Sequence, residues 1–242
     1  MTRYFDTVRQ VLDDAETRNR ETLEQAADAV ATSMANGGVL HTFGTGHGHM
    51  LAEELFYRAG GLVPVNAILD PALMLHLSAL SSTHVERLSG YAELVLERYT
   101  VNASDVIMIA SNSGRNAVPI EMALAAQKLG LKVIALTSIA HSQSQSSRHP
   151  SGKRLFEIAD IVLDNCGVIG DAAVEVDGLP GKIGATSTVV GAALLHTLVE
   201  RAVEIMLARG VQPPITLSAN VDGGDAHNAK LFDQYKDRLR HL

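Results

Sequence analysis

Five consecutive apolar residues, Val106-Ile107-Met108-Ile109-Ala110, stand between Ser104-Asp105 and Ser111-Asn112-Ser113-Gly114. A strand with one wet face alternates apolar and polar residues, so a strand apolar at every position is buried on both faces. Such burial requires helices on both sides of a parallel sheet. Comparable short runs recur at Val39–Phe43, Leu62–Ala67, Lys132–Leu136 and Ile161–Leu163. Between them the apolar period changes to that of a helix. Phe5, Val8, Leu12, Leu23, Ala26, Ala27, Val30 and Met34 predict one long helix over residues 4–35, stopped by Asn36-Gly37-Gly38. Further helices are predicted over about 47–59, over 71–99 with breaks near Ser81-Ser82 and Ser89-Gly90, and over 116–129, 185–209 and 228–239. Residues 164–184 read as a Gly-rich loop. The segment 138–151, with six Ser in 14 residues, reads as a mobile surface loop with the character of a lid.

The expected architecture is a three-layer, doubly wound α/β fold with five parallel strands in the flavodoxin-like order 2-1-3-4-5. One domain is expected over 1–242, with its core at about 30–209, a helix over 1–35 and a tail over 211–242. Composition agrees, since 46% apolar and 19% charged residues exclude intrinsic disorder. A net charge of −7 argues against a nucleic-acid partner. Met1–Arg20 is charged throughout, unlike a signal peptide, and the longest uncharged stretch, 29–52, carries five glycines. With a single cysteine, Cys166, these features predict a cytoplasmic protein with no membrane partner.

In such a sheet, ligands bind beyond the carboxyl ends of the strands where strand order reverses, between strands one and three. The two loops leaving those strands are 44–48 and 111–116. Ser111-Asn112-Ser113-Gly114-Arg115-Asn116 gathers short polar side chains, a glycine and an arginine at a helix start, where free N–H groups and the helix dipole favour an anion. Helix capping by Ser113 or Asn116 uses the same residue types and is the alternative reading. Gly44-Thr45-Gly46-His47-Gly48 fits either a close approach of backbone to ligand or a tight strand-to-helix turn. His49 stands where a dinucleotide fingerprint wants glycine. His49 with Glu53, and Glu54 with Arg58, have the spacing of surface ion pairs. Thr188, Ala192, His196, Glu200 and Glu204 form a polar stripe on one helix. Nothing around Cys166 suggests an activated thiol.

Asp105 through Asn116, continuing through Ala126–Thr137, resembles the signature of the SIS (sugar isomerase) domain. That signature reads strand, Ser-x-Ser-Gly-x-Ser/Thr, helix, Ala-Lys-x-x-Gly, strand, Thr. Gly44-Thr45-Gly46 with Ala52-Glu53-Glu54-Leu55, and Ala159-Asp160, are similar to other hallmarks of the family. The resemblance covers about residues 30–209. It implies a phosphorylated sugar as ligand, with Ser111, Ser113 and Asn116 on the phosphate. Asn112, Arg115 and the first loop, Gly44, Thr45 and Gly46, complete the expected binding set. Two positions depart from the family pattern: Asn116 replaces Ser/Thr, and Gly48 stands where many members carry Ser.

Within the family the chain is similar to phosphoheptose isomerases at Glu54 and at His196 in an apolar helix. The segment before Glu54 is about one helical turn shorter, and that branch's metal-binding His falls on Met50. No metal and no cofactor are therefore assigned. N-acetylmuramic acid 6-phosphate etherases are a second similar branch. The tail Ser218–Asn228 matches neither and resembles tails of the UPF0309 group, with Asp225 and His227 either reaching a neighbouring site or purely structural. The resemblance implies a homodimer or homotetramer. The expected activity is aldose–ketose isomerisation through an enediolate, with Glu54 as base and His196 as acid. An etherase-like lyase and a non-catalytic phosphosugar sensor are the alternatives.

Overall fold

The computed structural model describes residues 2–242. Arg3–Ala35 forms α1, whose buried residues, from Val8 and Val11 to Val30 and Met34, recur along one side. It leads through Gly37 into β1 (Leu40–Gly44), α2 (Gly48–Glu54) and β2 (Val65–Ile68). A short 3-10 turn at Pro71–Leu73 precedes α3 (Ala79–Val85) and α4 (Tyr91–Leu96). Then follow β3 (Val106–Ala110), α5 (Ala117–Lys128), β4 (Lys132–Thr137), α6 (Ile139–Gln143) and β5 (Ile161–Asp164). The chain closes with β6 (Ala172–Val174), β7 (Ile183–Ala185), α7 (Ser187–Ala208) and α8 (Gly224–Tyr235).

The first five strands pair in parallel in the order β2-β1-β3-β4-β5, the order expected from the sequence. Leu40 stands beside Val65 on one flank and Val106 on the other. Alternation along β3 explains why every residue is apolar. Val106, Met108 and Ala110 join a core with α1, α2 and α7, while Ile107 and Ile109 join a second core with α4 and α5. The sheet thus separates two helical layers, each burying one face of the same strands.

One polar residue inside the first core has a specific reason to be there. Asn19 of α1 is 1% exposed. Its amide donates to the Asp164 carbonyl at 2.8 Å and its oxygen accepts from the Asp164 N–H at 2.8 Å. The side chain acts as a further strand residue at the end of β5 and locks α1 to the sheet.

Several expectations need correction. The helix expected over 47–59 ends at Glu54, because the backbone turns at Tyr57 into the left-handed region (φ 52°). Ser81-Ser82 lies inside α3 rather than breaking it, since Ser78 caps that helix by accepting from the Ser81 N–H. The serine-rich segment carries α6, capped by Ser138, and is tied to the rest of the chain by Ser146 with Arg115, Arg148 with Asn116 and His149 with Glu121. The Gly-rich stretch contains an antiparallel pair, β6 with β7. No helix among the described residues is long and apolar enough to cross a membrane.

The tail docks where β1 and β2 begin. Leu239 packs with Val39 and Val63, and Arg238 donates to both carboxylate oxygens of Asp105 at 2.9 and 2.8 Å. His227 donates to the Ile215 carbonyl at 3.0 Å, and Asp225 lies in the first turn of α8.

Candidate functional site at the carboxyl ends of β1 and β3

The loop after β1 is held in a turn that only glycine allows. A Cβ on Gly44 would sit 2.2 Å from the Gly48 carbonyl oxygen, and one on Gly48 would sit 2.5 Å from the Ala110 carbonyl oxygen. Gly46, between them, has φ 55°. The alternating glycines therefore bring α2 down onto the end of β3. This is the tight-turn reading of the motif.

Facing this turn, residues 111–116 leave β3 and enter α5. The Gly114 N–H donates to Ser111 Oγ at 3.2 Å, and the Asn112 carbonyl accepts from the Ser138 N–H and from Thr137 Oγ1. Asn165 donates to Asn112 Oδ1 at 2.9 Å. Between the two loops lies a cavity of about 430 Å³. Thr45, Ser111, Asn112, Ser113 and Asn116 line it, so it gathers five of the residues expected to bind ligand. Gly44 and Gly46 form the turn behind Thr45 and do not line it. The Arg115 guanidinium turns away to the Ser146 carbonyl at 2.8 Å and Gln145 Oε1 at 3.0 Å.

Among the contributors to this cavity that sequence reasoning did not assign to it are Glu86, His141, Asn165 and Asp171. Glu86 accepts from Thr45 Oγ1 at 2.9 Å and from Asn116 Nδ2 at 2.7 Å. Asn116 Oδ1 in turn accepts from Arg148 at 2.7 Å, so both ends of this amide are engaged within the protein. His141 Nδ1 accepts from the Gly170 N–H at 3.1 Å, which places the proton of the neutral ring on Nε2. Asp171, at φ 66°, caps α7 by accepting from the Thr186 and Ser187 N–H groups and from Ser187 Oγ. No local signal marks these residues. The partners that hold Glu86, Asp171 and the His141 ring lie 15 or more positions away, beyond the reach of a spacing rule.

Glu54 and His196 do meet. His196 Nε2 lies 2.9 Å from Glu54 Oε1, and Arg58 lies 3.2 Å from the same carboxylate oxygen. The couple stands on the outer side of α2 and α7, partly in solvent, and does not line the cavity. Both ring nitrogens of His49 are buried without a hydrogen-bond partner, so it is not the surface partner of Glu53 that its spacing suggested. Burial holds the His49 imidazole down to about 4, with His76 adding to the effect and Asp70 opposing it. Burial and the nearby Asp164 carboxylate push the Cys166 thiol up to about 11, consistent with an unactivated thiol.

Met50 cannot ligate as the branch's His would, and no three His, Cys, Asp or Glu side chains converge as a metal ligand set among the described residues. A larger, shallower hollow of about 1010 Å³ lies between α1, α7 and the amino ends of β3, β4 and β5. Most of its charged groups are engaged within the protein: Arg209 pairs with Asp28 and donates to Thr32 Oγ1, Glu24 pairs with Arg201, and Asp105 with Arg238.

An open parallel sheet with a polar cavity at its switch point defines the class of protein. Residues 3–138 match the family model described as SIS domain. A UPF0309 protein of Geobacillus thermodenitrificans is 43% identical over 236 residues, covering 98% of this chain and 95% of that protein. A UPF0309 protein of Caldanaerobacter subterraneus is 44% identical over 242 residues, covering 99% and 98%. The phosphoheptose isomerase of Neisseria gonorrhoeae shares the fold at TM-score 0.55 and 21% identity, covering 83% of this chain and 95% of that one. That of Francisella tularensis does so at TM-score 0.56 and 18% identity, covering 82% and 94%. The chain belongs to the SIS-domain family and, within it, to the UPF0309 proteins.

Proposed function

We propose that this chain binds a phosphorylated sugar in the cavity between the 44–48 and 111–116 loops and catalyses its aldose–ketose isomerisation. The observation that carries the reading is the placement of Ser111, Asn112 and Ser113 in that cavity, just before α5. Backbone N–H groups and hydroxyls at a helix start suit a phosphate monoester. Because Asn116 is engaged at both ends and Arg115 points elsewhere, the grip falls to Ser111, Asn112 and Ser113, with Thr45 in the facing wall. The naming of two structural neighbours as phosphoheptose isomerases supports a sugar phosphate as ligand.

Isomerisation needs a base to take the proton next to the carbonyl and an acid to serve the two oxygens of the enediolate. Glu54 is assigned as base and His196 as its acid partner, supported by their 2.9 Å contact. Because this couple opens outside the cavity of its own chain, it serves a cavity completed by a second copy. Exposed apolar Met50 and Val189, on the same two helices, supply surface for that contact.

The test is turnover of a panel of aldose and ketose phosphates. Glu54→Gln and His196→Ala are each expected to lower kcat by about 100-fold or more, while binding measured by thermal shift persists. Full turnover in both variants would remove the couple from the mechanism. Lactate released from N-acetylmuramic acid 6-phosphate would replace the isomerase by a lyase.

A further inference from the structure

Two polar residues of the cavity, Thr45 and Asn116, donate to a carboxylate. Glu86, which closes α3, offers Oε2 to Thr45 and Oε1 to Asn116, and its backbone carbonyl accepts from the Val118 N–H at 3.1 Å. Three contacts from two segments, the 44–48 turn and the start of α5, therefore fix where this residue stands. A carboxylate has about four acceptor positions, and these two donors leave capacity on each oxygen. The other carboxylate of the cavity, Asp171, differs because three donors from the start of α7 hold it. Glu86 is thus the cavity's oriented acceptor with capacity to spare.

Its surroundings give this acceptor a further task. Arg148, which donates to Asn116, is held below the usual guanidinium range by burial and by nearby Arg115 and Arg87, with Glu86 opposing the shift. The guanidinium groups of Arg115 and Arg87 near Arg148 gather positive charge beside Asn116, outside the cavity lining, and that charge attracts an additional anion. A fixed negative charge among them cancels part of that field and repels a second anionic group at close range.

Resting on the phosphosugar reading, we propose that Glu86 determines specificity: it accepts hydrogen bonds from hydroxyls of a sugar monophosphate and rejects ligands bearing a second anion. The phosphate lies at the Ser111–Ser113 end and the polyol at the Glu86 end. Sugar bisphosphates and phosphorylated sugar acids are the excluded class. Such rejection is selection by repulsion, which an attractive contact alone does not supply.

Calorimetric titration of the full chain tests this with two ligand pairs, glucose 6-phosphate against 6-phosphogluconate and fructose 6-phosphate against fructose 1,6-bisphosphate. Inorganic phosphate reports the phosphate contact alone. The wild-type chain is expected to prefer the member of each pair that lacks the second anionic group by at least about tenfold in Kd. Glu86→Gln should reduce that preference to about threefold or less, and Glu86→Asp, which keeps the charge, should restore most of it. Equal preference in the wild type and Glu86→Gln overturns the proposal while leaving the phosphate contact standing. A wild-type chain that binds 6-phosphogluconate as tightly as glucose 6-phosphate also overturns it, whether or not either variant folds. If neither the four sugar phosphates nor inorganic phosphate binds the wild type, the phosphosugar reading fails and this proposal fails with it.

Discussion

His49 stands in α2 with both ring nitrogens buried and unpartnered, and its imidazole is held down to about 4 against an ordinary value of 6.5. Between those values the unfolded chain takes up a proton that the folded chain refuses. Stability therefore rises with pH across this window and falls as pH drops from 6.5 towards 4, by up to about 3 kcal/mol. Below about pH 4 both states hold the proton and the loss levels off. His49→Leu should remove this part of the pH dependence, read from urea midpoints at pH 7 and pH 4.5. An unchanged difference between the two midpoints would place the proton-linked group elsewhere. The glycines of the first loop make a second prediction at this scale. Gly48→Ala forces a Cβ against the Ala110 carbonyl and should cost about 1–3 kcal/mol. Gly181, with open space around it, should accept alanine within about 0.5 kcal/mol.

At the scale of elements, the apolar run 106–110 was legible because both of its faces are buried, and β3 forms over those same residues. The turn at Gly44–Gly48 was half legible. Spacing showed that backbone must come close to something, and only the fold shows that the something is β3. Glu86, His141 and Asp171 were not legible, because each acquires its place through partners distant in sequence. The tail was unreadable for the same reason. Its anchor is Asp105, fully buried, accepting from His41, from the Val39 and Asn102 N–H groups and from Arg238. Burial alone would raise the Asp105 carboxyl, and these four donors together hold it below its usual value. Removing one member of a buried ion pair strands the other, so Asp105→Ala should destabilise the chain by about 3–5 kcal/mol. The same variant should also expose Leu239 and the end of α8 to hydrogen exchange. Loss of stability with α8 still protected would show that the tail is held by its apolar contacts alone.

For the whole molecule, the sheet order places two polar loops side by side, and every functional assignment depends on that adjacency. The sequence was sufficient for the layers, the strand order and the loop at 111–116. It did not reveal that the Glu54–His196 couple and the cavity face different directions, since helix phase alone does not say which neighbour a side chain meets. The central claim is that phosphate is held at the start of α5. Amide chemical shifts of the labelled chain, followed during titration with a sugar phosphate that the thermal-shift panel has shown to bind, test it most directly. The account predicts the largest changes at Ser111, Asn112, Ser113 and the first N–H groups of α5, lost together in Ser111→Ala with Ser113→Ala. Largest changes at Thr32, Arg209 and their neighbours in the hollow between α1 and α7 would contradict it.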